Sequence, residues 1–166
     1  MFYYINSFFI YSFFGYILEF LVKTFIFKGM NSGILYGPWL PVYGLGGIIS
    51  IFMMRLIFNR VKANRVVKIF LLFICNFFLL SLIEYLGGIL IETIFHKKFW
   101  NYSEMKFSFG PYVSLEMSLL WGIGSLFLIY VIKPIVDPII KKIPIPVTVL
   151  VSFVFIMDVV FTFLFH

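Results

Sequence analysis

Cysteine, histidine and charge are all scarce in this chain. Its 166 residues include one cysteine and two histidines, and only 12% are charged. A lone Cys75 in an apolar run excludes an intramolecular disulfide and a cysteine-cluster metal site, and predicts an inert buried thiol. His96 lies beside two lysines and His166 is the last residue, so no histidine-based catalytic triad or metal cluster is credible. No Walker-type glycine loop is present, so the chain carries no ATPase motif of its own.

Apolar residues dominate instead. They make up 63% of the chain, with 24 phenylalanines and 10 tyrosines, and the mean hydropathy is +1.08. Soluble domains are nearer half apolar and a quarter charged, so the composition predicts an integral membrane protein. Abundant Phe, Ile, Lys and Asn beside a single alanine, Ala63, suggests an AT-rich genome and the cytoplasmic membrane of a bacterium.

Five apolar segments are each close to the roughly 20 residues with which a helix crosses the hydrocarbon core. The predicted spans are 2–27, 34–54, 66–91, 112–132 and 145–165. We expect an all-α polytopic fold with one membrane domain, residues 1–166, and no soluble domain. The first span is expected to be retained, because it lacks the basic start and cleavage site of a signal peptide. The prolines and glycines early in span two predict an irregular first part, and the aromatic stretch 93–111 predicts an interfacial or partly re-entrant hairpin.

The basic residues give the topology. The loops after spans two and four share one side and carry eight of them: Arg55, Arg60, Lys62, Arg65, Lys68, Lys133, Lys141 and Lys142. The opposite side carries the other five: Lys23, Lys28, Lys97, Lys98 and Lys106. By the positive-inside rule the N-terminus is inside and the C-terminus and hairpin are outside. Because the net charge of +6 lies in these short loops, we expect no nucleic-acid partner.

Four carboxylates lie in or at the margins of the spans: Glu19, Glu84, Glu116 and Asp158. A charge deep in a membrane costs on the order of 3 kcal/mol on insertion scales, so such groups usually face a protein interior or a watery cavity. The predicted topology places all four in the outer half of the membrane, level with Trp39 and Tyr43. This predicts a polar cup that opens outward and is closed by the aromatic loop around Trp100.

Two spans carry an acid within a ridge of small and polar residues. The ridge of span one is Ser12, Gly15, Glu19 and Lys23, at helical spacing. It predicts either a close helix contact with Glu19 paired to Lys23, or a ligand-binding role for Glu19. The ridge of span three is Ser81, Glu84, Gly88 and Glu92. Glu84 is likewise open to two interpretations, an interhelical hydrogen bond or ligand binding.

The other two acids give weaker signals. Glu116 points away from a face formed by Ser114, Ser118, Gly122 and Ser125, and in the first turn of its helix the dipole stabilises it. The surroundings of Asp158 cannot be inferred, and it is a lesser candidate. Converging carboxylates could bind a divalent cation, share a proton or bind an organic cation. No cofactor or metal is assigned to the chain.

Several blocks resemble the ABC-transporter type IV family, the CmpB-like group. They are residues 11–19 (YSFFGYILE), 33–44 (GILYGPWLPVYG), 84–85 (EY), 100–103 (WNYS) and 118–122 (SLLWG). The glycine-proline block, with Gly37, Pro38, Pro41 and Gly44, is the most specific of these, and Gly15 belongs to the first. Asn101 stands where the family pattern has aspartate. The resemblance implies a permease-like membrane subunit that works with an ATP-binding subunit.

The leading hypothesis is a transport-related membrane protein that captures a small, cationic solute from outside. The candidate ligand-binding residues are Glu19, Glu84, Trp39, Tyr43, Trp100 and Asp158. Five helices leave little room for a translocation path, so a homo-oligomer or partner subunits are expected. The alternatives are a structural or regulatory membrane partner, and an intramembrane lipid-modifying enzyme. The enzyme is disfavoured because the chain has no evident nucleophile or paired histidine.

Overall fold

The computed structural model describes residues 2–25 and 35–165, and within these ranges the chain is helical with no β-strand. Its elements are α1 (Phe2–Phe25), α2 (Pro41–Arg60), α3 (Arg65–Phe95), α4 (Leu115–Phe127), a π-helical segment (Leu128–Ile132), α5 (Lys133–Ile140) and α6 (Ile145–Phe165). Within the described ranges, five helical segments are long and apolar enough to cross a membrane. The predicted all-α fold with five spans is therefore confirmed.

The second span begins later than predicted. Residues 35–40 are irregular and α2 begins at Pro41, whereas the prediction began at 34; the helix ends at Arg60 instead of 54. The prolines explain the late start, since a proline disfavours helical geometry in the residue before it and is well suited to the first position of a helix. The irregular stretch before Pro41 matches the expectation from Pro38 and Pro41.

Helix α3 is the longest element, with 31 residues. At 1.5 Å per residue it measures about 46 Å, well beyond the roughly 30 Å hydrocarbon core. Asn64 caps its start by accepting a hydrogen bond from the backbone N–H of Val67 at 2.9 Å. At its end His96 adopts a left-handed conformation (φ 53°) and its N–H donates to the carbonyl of Glu92 at 2.8 Å. These caps define the two ends of α3, and the loop 96–114 begins directly after the second cap.

The fourth span also differs from its predicted limits. It covers Leu115–Ile140, against the predicted 112–132, because Ser114 caps α4 and the helix continues past Lys133 and Pro134. In the π-helical segment the N–H of Lys133 donates to the carbonyl of Leu128, five residues back. This wider turn lies directly before Pro134, which has no N–H to donate, and so allows the helix to continue.

The chain forms two compact units, residues 1–48 with 136–166, and residues 49–135. In the first unit α1 packs closely on the start of α2. A Cβ added to Gly44 would lie 2.2 Å from Ser12 Oγ, and one added to Gly15 would lie 2.3 Å from the Tyr43 ring. The close helix contact that Ser12 and Gly15 predict is therefore present.

In the second unit the ridge predicted on α3, which contains Ser81, packs against the predicted α4 face that contains Ser118 and Gly122. Ser81 Oγ donates to Ser118 Oγ at 2.7 Å, and both residues are buried. Gly122 leaves space for the ring of Phe73, which would lie 2.6 Å from a Cβ at that position. Small residues thus bring the two helices close enough for side-chain hydrogen bonds between them.

Candidate functional site

The most buried acid of the second unit is Glu84, which is 5% exposed in the middle of the α3 ridge. Its Oε1 accepts a hydrogen bond from the hydroxyl of Tyr102 at 2.8 Å. Its Oε2 accepts from Nε1 of Trp121 at 2.9 Å. One donor comes from the loop 96–114 and the other from α4, so the carboxylate connects three parts of this unit. Both donors are neutral groups that orient the acid.

Backbone hydrogen bonds within the loop 96–114 stabilise its conformation. The N–H of Tyr102 donates to the carbonyl of Pro111 at 2.8 Å, and that of Phe109 to Val113 at 2.8 Å. Ser108 and Ser114 form an isolated antiparallel bridge. The loop is therefore internally ordered where it supplies the tyrosine to Glu84.

Trp100 and Tyr112 form the aromatic part of this loop. Their ring centroids are 6.0 Å apart at 73°, an edge-to-face contact. Trp100 Nε1 is buried and makes no hydrogen bond. The Tyr112 hydroxyl donates to Glu92 Oε2, and Glu92 lies 3.7 Å from the ammonium of Lys98. Burial of the Tyr112 ring, together with the hydrogen bond and charge of Glu92, raises the pKa of its hydroxyl to about 12.

Glu116 also holds this loop. It lies in the first turn of α4, as the sequence predicts, and its Oε1 accepts from the backbone N–H of Phe107 at 3.2 Å. Its Oε2 is buried without a hydrogen bond. The neighbouring cap residue Ser114 accepts from the N–H of Met117 at 3.2 Å. This acid therefore contributes to the helix start and to the position of the loop.

In the first unit, Asp158 of α6 binds the irregular segment before α2. Its Oδ1 accepts from the N–H of Tyr36 at 3.1 Å, and its Oδ2 accepts from the N–H of Gly37 at 2.9 Å and from Trp39 Nε1 at 2.5 Å. The indole folds over Gly37, where a Cβ would lie 2.4 Å from Nε1. One carboxylate thus binds residues 36, 37 and 39 of the glycine-proline block, and the N–H of Leu40 in the same block donates to the carbonyl of Ser12 at 3.1 Å.

The sequence candidates are divided between the two units. Glu19, Trp39, Tyr43 and Asp158 belong to the first, and Glu84 and Trp100 to the second. Trp39 and Asp158 are directly hydrogen-bonded. Glu19 is partly exposed, and the side chain of Lys23, its predicted partner, lies outside the described part of the chain. The outward-facing cup formed by all six residues stays a prediction.

Sequence reasoning missed the partners of the acids. Tyr102 and Trp121 lie 18 and 37 residues from Glu84, and both occur in the family-like blocks, which was the available signal. Asp137, which accepts from the Tyr3 hydroxyl at 2.8 Å, was not a candidate. Among the described residues, no group of three or more histidines, cysteines and acids is arranged to hold a metal ion.

Comparison with known proteins gives one match. No curated protein and no solved structure matches the chain. A protein-family model matches residues 6–165, almost the whole chain. The match includes both the Glu84 region and the segment bound by Asp158. The chain therefore belongs to the family described as Putative ABC-transporter type IV.

Proposed function

We propose that the protein is the permease-like membrane subunit of a transport system in the cytoplasmic membrane of a bacterium, and that it binds a small cationic solute from outside. The family match and the five membrane-spanning segments support the transport part of this proposal. Because the sequence contains no Walker-type loop, the energy would come from a separate ATP-binding subunit. A homo-oligomer would provide the larger interior that a translocation path needs.

The buried carboxylate of Glu84 is the observation that carries the solute-binding part. A carboxylate within a membrane span is costly, and such groups commonly mark substrate or ion pathways. Tyr102 and Trp121 fix its orientation, so a cation would meet a preorganised acceptor. Aromatic rings bind organic cations through their faces, which favours Trp100 as a second contact. Glu19, Trp39, Tyr43 and Asp158 complete the proposed outward-facing cup.

The test is a thermal-stability screen of the detergent-purified protein with choline, spermidine and magnesium chloride. A ligand at about 100 times its Kd stabilises the folded state by roughly 2.7 kcal/mol. We expect one of these cations to raise the melting temperature of the wild type and of Glu104→Gln, a control at an exposed loop acid. Glu84→Gln should remove that rise. An equal rise in Glu84→Gln, or no rise with any cation, would count against the proposed site.

The hydrogen bonds themselves favour a second candidate function, a structural or regulatory membrane partner. The oxygens of Glu84 and Asp158 accept hydrogen bonds from groups of the chain, which is the arrangement expected of acids that pin helices and loops together. Glu84→Gln would exchange an acceptor oxygen for an amide and cost about 1–3 kcal/mol of stability. This candidate predicts that loss of stability and no cation-dependent signal in any variant.

A further inference from the structure

The first unit contains an apolar cleft between α1 and α6, remote in sequence from Glu84. Its volume is about 240 Å³, and the side chains that define it are Phe9, Phe13, Trp39, Ile143, Val147 and Val151. Two polar residues also reach it, but the Thr148 hydroxyl donates to Asn6 Oδ1 at 2.7 Å and both are buried. The cleft therefore offers a polar solute little to bind, and its occupant should be apolar.

The dimensions of the cleft favour a chain-like occupant. On α1 its lining extends from Asn6 to Phe13, which is about 10 Å of helix axis at 1.5 Å per residue. The volume is below the roughly 300–1,000 Å³ of pockets that enclose a whole drug-sized ligand. An elongated apolar segment of a larger molecule fits these values. Because both helices are membrane-spanning segments, the acyl chain of a lipid has direct access.

Charge at one end identifies the class of lipid. Lys141 and Lys142 are exposed in the turn between α5 and α6, immediately before Ile143 of the cleft. The nearest acid in sequence, Asp137, accepts a hydrogen bond from the Tyr3 hydroxyl. Basic residues next to a membrane span attract anionic lipid headgroups. We propose that the cleft binds one acyl chain of an anionic phospholipid whose headgroup is held by Lys141 and Lys142.

The experiment uses the protein in nanodiscs that contain brominated phosphatidylglycerol or brominated phosphatidylcholine at equal mole fraction. Bromine on an acyl chain quenches a nearby indole, and Trp39 lines the cleft. In a Trp100→Phe/Trp121→Phe chain, Trp39 is the only reporter. We expect phosphatidylglycerol to be enriched at Trp39 by roughly 30-fold over phosphatidylcholine, because each of the two lysines contributes about 1 kcal/mol. Lys141→Gln/Lys142→Gln should abolish this preference, whereas inorganic phosphate should leave the quenching unchanged.

Matched variants separate the site from general attraction to a basic protein. Lys62→Gln/Arg65→Gln removes two other exposed charges and should preserve the preference. Val151→Phe fills the cleft and should reduce quenching by phosphatidylglycerol, whereas Val149→Phe, at a position 57% exposed, should not. Equal quenching by the two lipids, or equal effects of the two charge variants, would overturn the proposal.

If the reporter chain does not fold, native mass spectrometry of the wild type and of Lys141→Gln/Lys142→Gln tests the same proposal. Preferential retention of phosphatidylglycerol by the wild type supports the site, and equal retention overturns it.

Discussion

Two adjacent glycines of α3 make a sharp test of how this helix packs in the second unit. A Cβ at Gly88 would lie 2.4 Å from the Tyr112 ring, whereas a Cβ at Gly87 would meet no atom within 4 Å. Gly87→Ala should therefore show only the gain in helix propensity, roughly 0.5–1 kcal/mol. Gly88→Ala gains the same propensity but must displace the ring, and overpacking costs roughly 1–3 kcal/mol. We expect Gly88→Ala to be the less stable variant by about 1–3 kcal/mol.

The free energy of unfolding of both variants can be measured by denaturant titration in mild detergent micelles. A third chain, Gly88→Ala/Tyr112→Ala, removes the ring that causes the clash. Relative to Tyr112→Ala alone, Gly88→Ala should then cost little or should stabilise. Equal stabilities of Gly87→Ala and Gly88→Ala would refute the packing of Tyr112 against this point of α3. So would an undiminished cost of Gly88→Ala in the absence of the tyrosine ring.

Two further predictions concern the first unit and the pH dependence of stability. Asp158→Asn keeps only one acceptor oxygen in the group that binds Gly37 and Trp39, so it should lower the free energy of unfolding by about 1–3 kcal/mol. It should also alter the tryptophan emission spectrum. An unchanged spectrum and an unchanged stability would contradict the hydrogen bonds of Asp158 to this segment. Because the pKa of Tyr112 is raised from 10.0 to about 12 in the folded state, its contribution should be complete below pH 10 and lost as the pH rises to about 12. Thermal unfolding of the wild type and of Tyr112→Phe can be followed from pH 8 to 12. The difference in stability between the two proteins should decrease as the pH rises. A constant difference would contradict the burial and the hydrogen bond of this tyrosine.

Much of the fold could be predicted because the length of an apolar run is a strong signal of a membrane-spanning helix. Five apolar runs near the length of a bilayer core predict five spans, and the described part of the chain contains five helical segments long and apolar enough to be those spans. The limits were less accurate at prolines. A hydropathy pattern continues through Pro38 although the backbone is irregular until α2 begins at Pro41. The pattern stops at Lys133, where a π-helical turn lets the helix continue past Pro134.

The helix contacts could be predicted in part. Ridges of small and polar residues at helical spacing mark the faces that pack, and the ridges with Ser81 and Ser118 do meet. Their pairing was not predictable, since spacing along one helix gives no information on which other helix it contacts. The same reasoning placed Glu84 within a buried face but could not supply its donors.

The surroundings of the acids depend on contacts that are distant in the chain. The three donors to Asp158 come from residues 119 to 122 positions away, and two of them are backbone amides, which carry no sequence signature. The family-like glycine-proline block provided the one usable signal, because Gly37 and Trp39 both belong to it. Its physical role, a segment folded around an indole and held by a carboxylate, required the structure.

The proposed transport function is tested most directly by native mass spectrometry of the protein purified from its own host in mild detergent. The account predicts a complex in which this chain is bound to an ATP-binding subunit, since the chain has no ATPase motif of its own. A monomer or homo-oligomer that carries neither an ATP-binding subunit nor a retained small molecule would contradict this account. Such a result would favour the structural or regulatory role.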